Sequence, residues 1–379
     1  MKVLHIIVGL EIGGAELMLK RLVEAQIGLP NHSHEVVSLT GLGAIGRQLA
    51  AHGVIVHALH MGGALGFPSA FFRLVRLIKS IRPDVVQTWM YHADLLGGIA
   101  ARWAGVRHIV WGVRTTNVAE GGSRATALVR HLCAWLSTRV PHIIVCAAEA
   151  SRKAHVALGY DATRMQVVPN GFDLARLRAS DEQRNTLRLQ CSLEHDAVVI
   201  GYLGRFHPVK DQQNFVRAAG FLAGQRANTR LMMVGSQLDA SNLQLAEWIR
   251  ATGHADRFVL LGERTDVPVC LSAMDVFCLS SRTEGFPNVV AEAMAMGLPC
   301  VVTDVGDAAM LVADTGVVVP KEDSRALAAA LESVLAMAPD ARRQMGQRAK
   351  ERVTTEFSMK RACERFDSIY QQAMPQGSI

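Results

Sequence analysis

Short apolar runs rich in β-branched residues alternate along this chain with longer stretches whose apolar positions recur at helical spacing. In the first half the short runs are KVLHIIVGL (2–10), HEVVSLT (34–40), VIVHALH (54–60), DVVQTWM (84–90), HIVWGV (108–113) and HIIVCAA (142–148). Between them lie helical patterns such as AELMLKRLVEAQIGL (15–29) and PSAFFRLVRLIKSIR (68–82). The second half repeats the plan with AVVIGYLG, TRLMMVG, RFVLLG, VFCLS, PCVVTD and GVVVP. Strand alternating with helix in this way predicts an α/β fold built on doubly wound parallel sheets.

A chain of 379 residues is too long for one ordinary core and suits two domains. Pro169-Asn170-Gly171 is a turn signal, and the stretch after it, as far as Cys191, is polar. A linker near 170–195 is therefore expected, with one domain over 1–170 and a second over 171–357. The final stretch reads as two helices broken near Thr354–Phe357. Two open α/β domains facing across a cleft would bind ligands outside the carboxyl ends of their strands, so the strand-to-helix junctions carry the most information.

Four junctions stand out. In VGLEIGGAELML, Gly13-Gly14 follows the first strand and opens a helix, which lets backbone approach an anion; a tight turn accounts for it equally well. In TGLGAIGRQLAAHG, Gly41, Gly43 and Gly46 spell G-x-G-x-x-G. They follow the second strand, however, and the next acid is Asp84, so a flexible loop fits better than a dinucleotide site. In GRFHPVKD, Arg205 and Lys210 stand five apart on a loop at a strand end, with Asp211 placed to cap the next helix. Two such cations suit two neighbouring phosphates, one gripped by a guanidinium fork and one met by a movable ammonium.

The fourth junction, RTEGFPNVVAEAMAMGLP (282–299), puts Glu284 in a loop at the mouth of a helix and Glu292 on its second turn. Pro287 suits the helix start, and Gly297 followed by Leu298-Pro299 ends the element. First-turn amides favour an anion, and carboxylates accept hydrogen bonds from hydroxyls. A diphosphate between polyols satisfies both loops together, and that ligand is a nucleotide sugar: Glu284 for the sugar, Glu292 for the ribose.

Charge adds a partner. Residues 1–170 hold 17 basic and 9 acidic side chains, leaving 23 and 25 in the remainder. Within the basic half, Arg73, Arg76, Lys79, Arg82, Arg102, Arg107, Arg114, Arg124, Arg130 and Arg139 face only Asp84, Asp94 and Glu120. Such a patch suits an anionic membrane surface or an anionic substrate, with a solvated surface as the plain alternative. No nucleic-acid motif accompanies it. No apolar run reaches the roughly 18 residues of a membrane span, and the start of the chain reads as a strand rather than a signal peptide. The seven cysteines form no Cys-x-x-Cys and suggest buried free thiols in the cytoplasm, while the basic first half allows peripheral attachment at the inner membrane face.

Taken together, the glycine pair, VPNGFD, GRFHPVKD, the segment from DVFCLSSRTEGFPNVV to VVTDVGD and the trailing helices resemble the retaining glycosyltransferases of family GT4, over essentially the whole chain. The resemblance implies the GT-B fold, two Rossmann-like domains with a last helix (358–379) crossing back to pack on the first. It implies that Arg205 and Lys210 neutralise the donor diphosphate and the charge that builds as the sugar leaves. Glu284 would bind the transferred sugar, helped by the amides around Gly285, Phe286, Asn288 and Val289, with Pro287 also at the donor, and Glu292 would take the ribose. Gly13 and Gly14 would let the first domain close on the phosphates, and Gly262 and Arg264 would lie near the base. No Asp-x-Asp occurs, and the expected reaction needs neither metal nor other cofactor beyond the donor, a UDP-, GDP- or ADP-sugar. A glycan or lipid-linked acceptor of cell-surface polysaccharide synthesis would receive the sugar. Many relatives carry a histidine where HIVWGVRTTN offers Arg114, which cannot relay a proton at neutral pH. His92 and Asn170 are further candidates to line the cleft. A nucleotide-sugar epimerase or hydrolase, or a non-catalytic nucleotide-sugar-binding protein, would share these features.

Overall fold

β1 (Lys2–Ile7), β2 (Ser33–Ser38), β3 (Ile55–Ala58), β4 (Val85–Trp89), β5 (Ile109–Val113), β6 (Ile143–Cys146) and β7 (Met165–Val167) form one sheet in the order β3-β2-β1-β4-β5-β6-β7. A second sheet takes β8 (Val198–Leu203), β9 (Thr229–Val234), β10 (Phe258–Leu260), β11 (Val276–Leu279), β12 (Cys300–Thr303) and β13 (Val317–Val319) in the order β10-β9-β8-β11-β12-β13. Every pairing is parallel. This computed structural model describes residues 1–30, 32–62, 67–116 and 124–374; Glu120 of the basic stretch lies outside them.

The chain divides into two compact units, Met1–Gly171 with Met359–Ile379, and Phe172–Ser358. In the first, Leu4, Ile6, Val86, Ile109, Trp111 and Ile144 face one helical layer. Val3, Ile7, Val85, Val110 and Val145 face another, completed by Phe366, Ile369 and Tyr370 of the helix Met359–Ala373. Strands buried on both faces explain why their sequences are apolar runs rather than alternating patterns. In both sheets the order reverses beside the first strand, between β1 and β4 and between β8 and β11. Loops leaving the two central strands splay apart there and open a crevice at the carboxyl edge.

Several local expectations are corrected. β7 was not expected as a strand: its three residues come just before the Pro169-Asn170-Gly171 turn signal. The polar stretch beyond it is not linker throughout. Asp181–Gln190 is a helix of the second unit, started by a Ser180/Gln183 capping box and held by Arg184 and Arg188 on Asp275. The G-x-G-x-x-G segment is not a flexible loop either. Gly43–Ala51 is a helix, Gly43 (φ 56°) lies against the Leu10 carbonyl, and Gly46 packs on the Leu10 side chain. Those glycines serve close packing against the loop after β1.

Candidate active site

Two loops of the second unit leave the central strands β8 and β11 and are tied to one another. Arg282 N–H donates to the Val209 carbonyl at 2.8 Å. Ser280 Oγ donates to the carbonyls of Lys210 and Asp211 at 3.1 and 3.0 Å. The first loop turns through a short 3-10 helix, Pro208–Lys210, into the helix Gln212–Ala223. Asp211 does not cap that helix with its side chain as expected. It sits in the left-handed region (φ 47°, ψ 52°), and its carboxylate instead pairs with Arg282 at 3.1 Å. Buried Gln212 donates to Tyr202 Oη at 2.9 Å and to the Arg205 carbonyl at 2.8 Å, fixing the loop from below.

The charged groups occupy this frame. Lys210 Nζ lies 2.7 Å from Glu284 Oε1, with 22% and 10% of the two side chains exposed. Ser281 Oγ donates to the same oxygen at 2.6 Å. Both contacts fall on Oε1, so Oε2 has no partner among the described residues and keeps its lone pairs for a hydroxyl. Arg205 is exposed, and its guanidinium has no partner among the described residues. Among the described residues the two loops therefore carry an exposed arginine without a side-chain partner, a half-engaged carboxylate and the lysine held by it.

The Glu284 loop is clamped by the loop after β12. Gly306 (φ 56°) lies so close to the carbonyls of Glu284 and Gly285 that any side chain would collide, and Asp307 N–H donates to the Gly285 carbonyl at 2.9 Å. Phe286 packs beside Phe172 and Phe357, with ring centroids 6.1 and 5.5 Å apart, so only its backbone is available to a ligand. Pro287 stands one position before the helix Asn288–Ala295 rather than in its first turn, and Gly297 (φ 79°) follows its end. The amides of Asn288 and Val289 open the helix, and Glu292 is half-buried on its second turn. Gly262 (φ 62°) and Arg264 follow β10, two strands from β8; Arg264 forms a fork on Asp266 at 2.8 and 2.6 Å. One feature of this edge was missed: Gly204, Gly235 and Gly262 line the carboxyl ends of β8, β9 and β10. Gly235 N–H donates to the Gly262 carbonyl at 2.8 Å, and Gly235 has no room for a Cβ against Gly204. A glycine directly after each of three apolar runs was the available signal.

In the first unit, Gly13 precedes the helix Gly14–Gln26 in extended conformation, and the Glu16 carboxylate folds against it. Gly14 has open space around it. His92 is exposed in the first turn of the helix Tyr91–Trp103, and partial burial lowers its pKa. Arg114 is engaged internally: it bonds Asn170 Oδ1, reaches the Val168 carbonyl at 3.5 Å and lies 5.6 Å over the Trp89 ring. Burial pulls its pKa down to about 10. Asp94 is not a surface acid opposing the basic patch. It is fully buried, accepts from Thr88 Oγ1 at 2.5 Å, and burial raises its pKa to about 7. Among the described residues no group of three or more His, Cys, Asp or Glu side chains could hold a metal ion, and no helix is long and apolar enough to cross a membrane.

Residues 12–176 match the model of Glycosyltransferase Family 4, and residues 197–337 that of Glycosyl transferases group 1. The chain is 27% identical over 235 residues to an Escherichia coli enzyme, UDP-Gal:alpha-D-GlcNAc-diphosphoundecaprenol alpha-1,3-galactosyltransferase, covering 61% of this chain and 60% of that one. It is 23% identical over 313 residues to the capsular polysaccharide biosynthesis glycosyltransferase CapM of Staphylococcus aureus, covering 79% and 80%. The crystal structure of Anabaena Alr3699/HepE in complex with UDP superposes with a TM-score of 0.84 at 23% identity, over 98% of this chain and 100% of the other.

Proposed function

We propose that this chain, which belongs to the family 4 glycosyltransferases and has their GT-B fold, holds a nucleotide-sugar diphosphate over the carboxyl ends of β8 and β11. The observation that carries this reading is the Lys210–Glu284 pair on two loops tied together, one of which also carries the exposed Arg205 and the other of which leads into the helix Asn288–Ala295. Arg205, Lys210 and the helix-start amides meet the phosphate charge, which grows as the glycosidic bond breaks. Glu284 Oε2 accepts from a sugar hydroxyl while Oε1 holds Lys210 in place. Glu292 takes the ribose, with the glycine row of β8–β10 letting the nucleoside lie close to the backbone.

Cations on the leaving diphosphate supply the main catalytic term, which suits transfer with retention and without a metal. UDP-sugars are the first donors to test, because the Anabaena protein of similar fold was crystallised with UDP. The diphosphoundecaprenol substrate named for the E. coli relative supports a lipid-linked acceptor. The basic first half favours work at an anionic membrane surface.

The test is a transfer assay followed by NMR. Arg205→Ala, Lys210→Ala and Glu284→Gln should each lower kcat by roughly 100-fold or more, the usual cost of losing one preorganised electrostatic group. The product should keep the donor's anomeric configuration, and a chelator should leave the rate unchanged. Full activity in all three variants would show that the diphosphate lies elsewhere. Equal donor consumption with and without acceptor would favour a hydrolase or epimerase.

A further inference from the structure

At the opposite edge of the first sheet, where strands begin, lies a cavity of about 610 Å³. His108 immediately precedes β5, His142 precedes β6 and Arg164 precedes β7. Arg102, in the last turn of the helix Tyr91–Trp103, and Arg107 complete its charged lining. Parallel pairing puts these positions on one side and the carboxyl-end loops, with Gly13, His92 and Arg114, on the other. None of the cavity's lining residues is a carboxylate. Asp161 stands just outside and engages one guanidinium, with Arg164 Nε 3.2 Å from its Oδ2.

We propose that this cavity is a phosphate-binding site, separate from the donor crevice, that takes a phosphomonoester or phosphodiester group.

Three guanidiniums share this lining and only Arg164 has a carboxylate partner, Asp161, among the described residues, so the remaining like charges repel at some cost in stability. The effect is visible at His142, whose pKa is lowered by burial and then by His108, Arg164 and Arg102. An anion with two charges and several acceptor oxygens offsets the repulsion and can engage more than one guanidinium fork; a single carboxylate fills one. His108 Nδ1 is buried without a partner among the described residues. Two backbone ties hold the cations in place: Arg102 Nη2 donates to the Arg139 carbonyl at 2.8 Å, and Arg164 bonds the Pro141 carbonyl.

The surroundings favour a lipid headgroup as the source of the phosphate. The Arg102–Arg139 bond ties the end of the helix Tyr91–Trp103 to the turn after the helix Arg124–Leu136, and Trp103 and Trp135 of those helices are 66% and 63% exposed. The Arg139 guanidinium lies 5.2 Å over the Trp135 ring. Exposed tryptophans beside arginines suit the boundary between headgroups and acyl chains.

The experiment uses the full chain in an Arg205→Ala, Lys210→Ala background, so that the donor crevice does not report. Calorimetry with inorganic phosphate is paired with flotation on phosphatidylcholine vesicles, with and without a minor fraction of phosphatidic acid. Arg107→Glu should weaken both interactions by roughly tenfold or more, the scale of one lost charged hydrogen bond. Arg76→Glu makes the same charge change on an exposed position outside the cavity and should stay within about twofold. Loss of vesicle binding in Arg107→Glu alone identifies a lipid phosphate. Saturable phosphate binding without vesicle binding identifies a soluble phosphate ligand. Equal losses in the two variants, or no saturable phosphate binding and no preference for phosphatidic acid, overturn the proposal. A failure here would leave the donor site untouched, because that site is read by Arg205, Lys210 and Glu284.

Discussion

Glu284 and Asp94 are both carboxylates on the way out of a parallel strand, yet their surroundings set them to different tasks. Glu284 keeps one oxygen on Lys210 and Ser281 and one unpartnered among the described residues. Asp94 lies fully buried, and its Oδ2 has no partner among the described residues. The unfolded Asp94 carboxyl titrates near its ordinary 3.8 and the folded one at about 7. Folding therefore takes up a proton between those values, and the stability present below the lower one is lost as pH rises through the higher. Asp94→Asn should shrink the fall in Tm between about pH 5 and about pH 8, read by thermal unfolding at both; an unchanged fall would mean that another group governs it. At this scale Arg205, Lys210, Glu284 and Glu292 were legible as candidates, because charged residues at strand-to-helix junctions have few structural reasons to be there. Ser281 was not singled out, since a serine three positions before a glutamate has no meaning until the turn brings its hydroxyl onto Oε1. Asp94 was counted with the surface charges, and Arg114 was counted there as well as among the cleft candidates, because one-dimensional counting cannot see burial.

Elements position these residues through close backbone approach. Gly306 holds the Glu284–Gly285 carbonyls, and Gly235 packs on Gly204, each with a positive φ. Gly306→Ala places a methyl on the Glu284 carbonyl in a backbone region that costs an L-residue roughly 1–2 kcal/mol. Movement of the Glu284 loop to relieve that clash would disturb the Glu284–Lys210 pair. Donor affinity should therefore fall by more than the loss of Tm explains. Calorimetry on folded protein checks this; normal donor binding with a lowered Tm would make Gly306 a purely structural residue. Strand positions were readable from apolar runs, and the helix ending at Gly297 from its glycine. The failures came where local chemistry allowed two outcomes. Asp211 had the right side chain for a cap, but the turn after Lys210 forces it left-handed and Arg282 claims its carboxylate. The glycines 41–46 suggested flexibility, whereas Leu10 made Gly43 and Gly46 a packing surface.

For the whole molecule, the chain returns after Ser358 to complete the unit it began with. Phe366, Ile369 and Tyr370 of the final helix are buried in the first unit's core, where Phe366 lies 6.1 Å from the Trp89 ring, and Gln26 donates to Asp367 at 2.8 Å. Phe366→Ala should cost the first unit about 3–5 kcal/mol, a large part of an ordinary domain's stability. Truncation after Ser358 should leave that unit unable to fold stably. Tm and soluble yield check both, and a truncated chain with normal stability would mean the final helix adds nothing to this core. Cysteine burial belongs to the same scale: Cys133, Cys146, Cys270, Cys278 and Cys300 are buried thiols, with pKa values raised by burial.

By itself the sequence determined the alternation of strand and helix, the repeat of that plan in two halves, and the residue types able to meet a diphosphate and a polyol. Those depend on composition and spacing along the chain, where propensity and hydrophobic period act locally. Only the tertiary structure decided which charges share a crevice, which are buried, and which residues close the first core from the far end of the chain. Such relations join residues many positions apart, and parallel strand order, rather than distance along the sequence, sets which loops meet.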